Sequence, residues 1–299
     1  MEKPRYLRKG DKIAIVATAR KVSLAELQPA IEVFNNWGFE VILGKNLLNE
    51  DDQFSGTTTQ RVQDLQQALD DNTIKAIFCA RGGYGTVKII DGLDFSEFQK
   101  HPKWIVGYSD VTVLHNHINQ NFNIQTLHAT MPINFSTNSV ESLQSLKNAL
   151  FGEKLSYQFD THLLNRKGEA AGELVGGNLS IIYSLTGSVS QLDTKNKILF
   201  IEDLDEYLYH IDRMMMNLKR VGMLKNLSGL IVGGMTAMKD NTIPYGKTAE
   251  EIILDAVKEY DYPVCFGFEA GHISTNLALK MGATVKLKVA EICTLKFEV

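Results

Sequence analysis

The chain has 299 residues, 44% of them hydrophobic, so it can bury a substantial core, and we expect two domains. Its 31 lysines and arginines face 35 acidic residues, a formal charge of -4, so no excess of basic charge indicates nucleic acid or an anionic membrane as a partner. No apolar run approaches the roughly 18 residues of a membrane span. With the polar start MEKPRYLRKGDK, this predicts a cytoplasmic protein.

The cysteines are few and widely spaced. Cys79, Cys265 and Cys293 are an odd number without the spacing of a disulfide framework or a zinc site. All three lie in apolar, strand-like runs. We therefore expect inert thiols in the core.

The first half of the chain alternates apolar runs with helical patterns. Strands are predicted over 13–17, 39–44, 74–80, 104–109 and 124–129, and helices over about 23–37, 57–71 and 110–120, with a short helix after Gly85. Apolar runs separated by amphipathic helices are typical of a parallel sheet covered on both faces. The pattern predicts a flavodoxin-like domain over residues 1–137.

The regular alternation of apolar runs and helical patterns ends after Pro132. Residues 138–170 are expected to form a connector with some strand, and 171–299 a mixed α/β, strand-rich domain. In that domain a helix is predicted to open at Asn178, followed by a strand over 197–203, a helix over 207–222, a strand at GLIVGG and a helix at TAEEIILDAVKEYD.

Two polar segments follow consecutive predicted strands of the first domain. In open parallel sheets the ligand crevice lies beyond the carboxyl ends of the strands, which is where RGGYG (81–85) and GYSD (107–110) fall. Ser109 and Asp110 are compatible with a helix cap, and Ser109 also with a nucleophile elbow, although only Gly107 matches the usual glycines of that motif. The glycine loop fits phosphate binding weakly, and its backbone N–H groups can equally serve an oxyanion.

Acyl transfer by a serine also needs a base and a group that orients the base. Among the seven histidines, His272 stands out on a glycine-containing turn after an apolar strand, and His128 follows a strand and can line the crevice. The remaining histidines show no partner or metal-ligand spacing: His101, His115, His117, His162 and His210. Glu202 and Asp203 end an apolar strand, where they can orient a base or cap the next helix.

Seven segments, taken together and in order, resemble the LD-carboxypeptidase family of serine peptidases, whose relatives include microcin self-immunity peptidases. The segments are RKGDKIAIVA, FSGTTTQRVQDLQQALDD, ARGGYGTVKIIDGLD, PKWIVGYSDVTVL, GELVGGNLSIIYSLTG, ILFIEDLDEYLYHIDR and GFEAGHISTNLALKMGA. The resemblance runs from about residue 8 to residue 283. It implies a nucleophile at Ser109, an orienting acid at Glu202 and a base at His272.

The same resemblance implies oxyanion donors at the backbone N–H groups of Gly83 and Asp110, with Asp110 also capping the following helix. It implies a site between the two domains, no metal or cofactor, a homodimer, and release of terminal D-Ala from an L,D bond of the murein tetrapeptide. Arg81 is a candidate partner for the substrate carboxylate. Two departures from the family pattern are Glu269, a second carboxylate near His272, and Ala129 after His128, where many members have glycine.

Two other functions remain open on the sequence. A peptidase of this family can instead cleave peptidyl-nucleotide antibiotics, although no nucleotide recess is identifiable. From a different class, a flavodoxin-like domain can bind a small ligand such as a flavin without catalysis.

Overall fold

The computed structural model describes residues 1–298 and contains two sheets. The strands in chain order are β1 (Lys12–Val16), β2 (Glu40–Leu43), β3 (Ile74–Cys79), β4 (Trp104–Gly107), β5 (Thr126–His128), β6 (Ser156–Asp160), β7 (Gly168–Asn178), β8 (Ile198–Leu204), β9 (Gly229–Thr236), β10 (Val264–Cys265), β11 (Leu279–Met281), β12 (Thr284–Val289) and β13 (Ile292–Phe297). The helices are α1 (Leu24–Trp37), α2 (Thr58–Asp70), α3 (Ser96–Lys100), α4 (Thr112–Phe122), α5 (Val140–Phe151), α6 (Leu179–Ser184), α7 (Leu208–Arg220) and α8 (Ala249–Ala256).

Local sequence explains where the longer helices begin. Ser23, Thr57 and Thr248 each accept a hydrogen bond from a backbone N–H in the first turn of α1, α2 and α8. In each case the Glu or Gln three residues later accepts a hydrogen bond from the backbone N–H of the cap residue. The two bonds together satisfy two otherwise unpaired N–H groups. The predicted start of α6 is confirmed, because Asn178 Oδ1 accepts from the N–H of Ile181.

The first sheet has the order β2-β1-β3-β4-β5-β11. Strands β1 to β5 are parallel, in the flavodoxin-like order that was predicted. The sixth strand, β11, pairs antiparallel with β5 and comes from the part of the chain that the sequence assigned to the second domain. This pairing of β11 with β5 places the segment that follows His272 against the sheet that carries Ser109.

The second sheet is mixed, as expected, with the order β10-β9-β8-β7-β12-β13-β6. Strands β7 to β10 are parallel, whereas β12, β13 and β6 add antiparallel pairs on the other side of β7. The two sheets share one core, since Phe78 and Val106 from the first belong to the same buried apolar cluster as Leu174 and Phe200 from the second. The domain limits at 137 and 171 stay a prediction.

The three cysteines lie in the core, as predicted. Burial raises the pKa of the Cys79 thiol to about 12. At neutral pH this sulfur is a thiol and not the reactive thiolate.

Candidate active site

Ser109 lies on a strained turn directly after β4. Its φ of 63° is in the left-handed region, which side chains with a Cβ rarely adopt. The hydroxyl faces the glycine loop, because a Cβ on Gly82 would come within 3.1 Å of Ser109 Oγ. Only a residue without a side chain leaves this space open. The hydroxyl therefore faces the glycine loop from a strained strand-to-helix turn, which is the geometry of a nucleophile elbow.

Asp110 does not cap α4, and this part of the prediction was wrong. Helix α4 has no side-chain cap, and Asp110 Oδ2 instead accepts a hydrogen bond of 2.8 Å from the N–H of Thr86, at the end of the glycine loop. Burial raises the pKa of the Asp110 carboxyl, against the lowering effect of its hydrogen bonds and of Arg61. Asp110 thus ties the glycine loop to the serine turn.

The glycine loop is held from its other side by Arg61. This buried guanidinium donates to the carbonyl oxygens of Thr18 and Gly85. Gly83 has a φ of 117°, and a Cβ there would lie 2.5 Å from the side chain of Arg20. Within residues 1–298, the peptide N–H groups of Gly83 and Asp110 donate no hydrogen bond. Both remain available to an oxyanion.

Glu202 and His272 form a close pair. Glu202 is fully buried near the end of β8, and its Oε2 accepts from the His272 backbone N–H at 3.2 Å and faces the ring Nδ1 at 2.7 Å. The His272 side chain is 14% exposed. Burial lowers the imidazole pKa, but the charge and hydrogen bond of Glu202 outweigh it and leave the pKa raised. With Nδ1 bound to the carboxylate, Nε2 is the nitrogen left to exchange a proton with a substrate or nucleophile.

The turn that carries His272 is fixed by Asn276. Its Oδ1 accepts from the N–H of Gly271 at 2.9 Å, and its own N–H donates to Ser142 Oγ in α5. Both contacts are buried. They hold the imidazole turn against helix α5, in the predicted connector.

Tyr108 brings the serine turn and the imidazole together. Its ring centroid lies 4.9 Å from that of His272, and its hydroxyl donates to Asn134. Among the described residues no hydrogen bond yet joins Ser109 to His272.

A second connection between the domains was missed by the sequence analysis. The N–H of Asn178 donates to Thr112 Oγ1, three residues after Ser109, at 3.0 Å, and Asn178 Nδ2 donates to Asp203 at 2.9 Å. Burial, and then the neighbouring charge of Glu202, raise the pKa of Asp203 to about 7. The sequence signal for this connection was the adjacent pair Glu202 and Asp203 at the end of an apolar strand. Only Glu202 contacts the imidazole of His272, and Asp203 binds Asn178 instead.

Other predicted candidates lie elsewhere. Glu269 is exposed and forms no bond with His272, so Glu202 is the carboxylate on the imidazole. His128 is fully buried between Tyr108 and Phe200 instead of lining an open crevice. Arg81 is partly exposed, donates to the Lys21 carbonyl and lies 4.0 Å from Glu26.

His115 is also buried, and its Nε2 bonds to the Gly107 carbonyl. Within residues 1–298 no group of three metal-ligating side chains is present, and no helix is long and apolar enough to cross a bilayer.

A serine on a strained strand-to-helix turn, free backbone N–H groups beside it and a carboxylate-bound imidazole nearby are the parts that acyl-transferring serine hydrolases use. The comparisons agree with this class. Residues 13–129 match the LD-carboxypeptidase N-terminal domain, and residues 171–287 match the LD-carboxypeptidase C-terminal domain. The chain belongs to the LD-carboxypeptidase family of serine peptidases.

Individual relatives cover nearly the whole chain. A protein of Bacillus subtilis, named a probable murein peptide carboxypeptidase, is 36% identical over 97% of this chain and 92% of its own length. The crystal structure of muramoyltetrapeptide carboxypeptidase from Oxalobacter formigenes superposes with a TM-score of 0.88 at 25% identity, covering 96% of this chain and 99% of that one. The microcin C7 self immunity protein MccF shares the fold, with a TM-score of 0.88 at 21% identity and 98% coverage of both chains.

Proposed function

We propose that this protein is a serine carboxypeptidase that cleaves the L,D bond of a murein tetrapeptide and releases the terminal D-Ala. The pair formed by Glu202 and His272 is the observation that carries the proposal. The carboxylate binds Nδ1 of His272 and raises the pKa of the imidazole, so Nε2 is left to take the proton of Ser109. Ser109 lies on the neighbouring turn, next to Tyr108, whose ring packs against His272. The murein substrate is that named for relatives in Bacillus subtilis and Oxalobacter formigenes.

In the first step Ser109 Oγ attacks the scissile carbonyl carbon, and His272 Nε2 takes the serine proton. The carbonyl oxygen becomes an oxyanion, which accepts hydrogen bonds from the N–H groups of Gly83 and Asp110. The C–N bond then breaks as the imidazolium returns its proton to the leaving amine of D-Ala. Glu202 stabilises the imidazolium and fixes the ring so that Nδ1 is the protonated nitrogen of the neutral form.

In the second step water attacks the acyl-enzyme. His272 accepts a proton from that water, and the tetrahedral intermediate collapses as the C–Oγ bond breaks and the imidazolium returns the proton to Ser109 Oγ. The products are the tripeptide acid, which ionises to its carboxylate in solution, and free Ser109. Each half of the reaction uses groups from both predicted domains, because Ser109 follows β4 of the first sheet and Glu202 lies on β8 of the second. We place the reaction in the cytoplasm, in the recycling of murein peptides, and we expect a homodimer that needs no metal or cofactor.

Trapping the acyl-enzyme tests the mechanism. The protein is mixed with tetrapeptide, quenched in acid within one turnover, and digested for mass spectrometry. A tripeptidyl adduct on the peptide containing Ser109, absent from the Ser109→Ala variant, is the expected result. An adduct on another residue, or turnover with no adduct at any quench time while Ser109→Ala stays active, contradicts the serine mechanism.

A peptidyl-nucleotide substrate is the second candidate, since MccF has the same fold. The same assay with an aminoacyl sulfamoyl nucleoside in place of the tetrapeptide distinguishes the two. We expect the tetrapeptide to be turned over and the nucleotide conjugate to be left intact.

A further inference from the structure

Arg20 packs across the glycine loop, and the proposed chemistry does not use it. A Cβ on Gly83 would lie 3.4 Å from Arg20 Cβ, 2.6 Å from Cγ and 2.5 Å from Cδ. The side chain therefore comes closer to the loop along its length, and the guanidinium, one bond beyond Cδ, lies at Gly83. Because Gly83 is a proposed oxyanion donor, Arg20 is beside the place where the scissile carbonyl binds.

The backbone at Arg20 is held from two sides. Its N–H donates to the Gly82 carbonyl at 3.4 Å. The flanking residues Ala19 and Lys21 form backbone hydrogen bonds of 3.1 and 3.0 Å with the loop of residues 53–55. The origin of the Arg20 side chain is therefore fixed before a ligand arrives, which reduces the entropy lost when the side chain is ordered by binding.

The other cations around the glycine loop already have partners. Arg61 and Arg81 donate to backbone carbonyl oxygens, Lys21 pairs with a glutamate at 2.6 Å, and Lys88 lies over two aromatic rings. The exposed guanidinium of Arg20, in contrast, forms no hydrogen bond or ion pair with any of residues 1–298. Its five N–H donors are therefore all available to a ligand.

We propose that Arg20 binds the free α-carboxylate of the γ-linked D-Glu, on the acyl side of the scissile bond. This inference rests on the function proposed above and adds a specificity-determining residue to it. The tetrapeptide has a terminal carboxylate, for which Arg81 is the candidate partner, and a second carboxylate on D-Glu, which is linked through its γ-carboxyl. The second carboxylate lies several bonds further from the scissile carbon and needs a cation of its own.

Charge and geometry both favour a carboxylate at Arg20. The chain has a formal charge of -4, so an anionic peptide is attracted to the crevice only by cations placed there. A carboxylate that entered the crevice without a partner would lose its water and be destabilised. The planar guanidinium offers two parallel N–H groups that match the two oxygens of a carboxylate.

Two tetrapeptides that differ only at the second residue test the pairing. One contains γ-linked D-Glu and the other D-isoglutamine, whose α-carboxamide has no charge. The wild type should have a kcat/KM about tenfold to a hundredfold higher for the D-Glu peptide, as expected for a hydrogen-bonded charge pair. Arg20→Ala should lower kcat/KM for the D-Glu peptide by that factor and remove the difference between the peptides. Arg20→Lys keeps the charge without the fork and should restore part of the difference.

Three further measurements serve as controls. Lys88→Ala removes a positive charge beside the same loop and should keep the wild-type ratio of kcat/KM between the two peptides. Amidation of the C-terminus should reduce kcat/KM by the same factor in Arg20→Ala as in the wild type, because Arg20 does not bind that end. Calorimetry in the Ser109→Ala background measures the affinity for both peptides without turnover and should show the same dependence on Arg20.

The outcomes separate this inference from the proposed function. If Arg20→Ala lowers kcat/KM equally for both peptides, or leaves their ratio as in the wild type, Arg20 does not bind the D-Glu carboxylate. Coupling of Arg20→Ala to C-terminal amidation would assign Arg20 to the terminal carboxylate and overturn the inference as well. Binding that depends on Arg20 and D-Glu, without cleavage by the wild type, would overturn the proposed function alone. Absence of both binding and cleavage would overturn both.

Discussion

Gly271 lies against the carboxylate of Glu202 so closely that a Cβ on the glycine would be 2.6 Å from Oε2. Its φ of 106° is also one that glycine tolerates best. The glycine thus makes room for the acid that holds His272. Gly271→Ala should push the carboxylate aside and lower kcat on the order of a hundredfold, since small misplacements of catalytic groups are costly.

Gly267 provides the matched control for this substitution. Its φ is 75°, and a Cβ there would meet nothing within 4 Å. Gly267→Ala should therefore share the backbone cost, about 1 kcal/mol in the free energy of unfolding, without losing activity. Steady-state kinetics and thermal unfolding of both variants check this. Equal kcat in the two variants would show that the contact with Glu202 is unimportant.

Ser109 should be a site where activity and stability conflict. Its left-handed backbone strains any residue with a Cβ, at a cost of order 1–3 kcal/mol. Ser109→Ala should be inactive with nearly unchanged stability. Ser109→Gly should also be inactive but unfold at a higher temperature than Ser109→Ala, because glycine relieves the strain. A lower unfolding temperature for the glycine variant would mean that the turn is not strained.

Glu202→Gln should leave KM nearly unchanged and lower kcat by about three to four orders of magnitude, because the amide cannot stabilise the imidazolium. Glu269→Gln, the exposed neighbour, should keep wild-type kcat. If Glu269→Gln were the more damaging of the two, the assignment of the acid would be wrong.

The pH dependence of kcat/KM gives a second readout of the same pair. His272 acts as a base only when neutral, so activity should rise with pH through the imidazole pKa, which Glu202 holds above its ordinary value of 6.5. Removing the negative charge lowers that pKa. The acid limb of Glu202→Gln should therefore shift to lower pH, whereas a purely structural defect would lower the plateau without moving the limb.

Arg81 is proposed to bind the terminal carboxylate of the substrate. Arg81→Ala should raise KM on the order of tenfold or more, as expected for loss of a charge-assisted hydrogen bond. With the wild type, amidation of the tetrapeptide C-terminus should raise KM by the same factor. With Arg81→Ala, the same amidation should change KM very little further. Glu26→Gln, which removes the weak partner of the guanidinium, is the control and should preserve KM. If the increases in KM from Arg81→Ala and from amidation were additive, the substrate carboxylate would bind to a group other than Arg81.

The sequence predicted those parts of the site that follow from local pattern and family resemblance. The order of β1 to β5, the turn at Ser109 and the positions of Glu202 and His272 at element ends all have short-range signals. The cap assigned to Asp110 was wrong because its carboxylate finds a partner 24 residues away, at Thr86. Long-range pairing of this kind leaves no trace in spacing.

The same reason explains the other differences. Strand β11 is short and its pairing with β5 joins residues some 150 positions apart, so its sheet was not predictable from its own three residues. The bond from Asn178 to Thr112 was missed likewise, because the sequence identified Asn178 only as the start of a helix. Both features connect the two halves of the site.

The stereochemistry of the scissile bond tests the central claim most directly. The purified protein is incubated with three peptides: L-Ala-γ-D-Glu-diamino acid-D-Ala, its isomer ending in L-Ala, and the pentapeptide ending in D-Ala-D-Ala. Mass spectrometry follows the products, with Ser109→Ala as the blank. A site that fixes the carboxylate and α-carbon accepts one hand, so only the first peptide should lose its terminal residue rapidly, on the order of a hundredfold faster than its isomer. Comparable cleavage of the L-Ala isomer would contradict the L,D assignment.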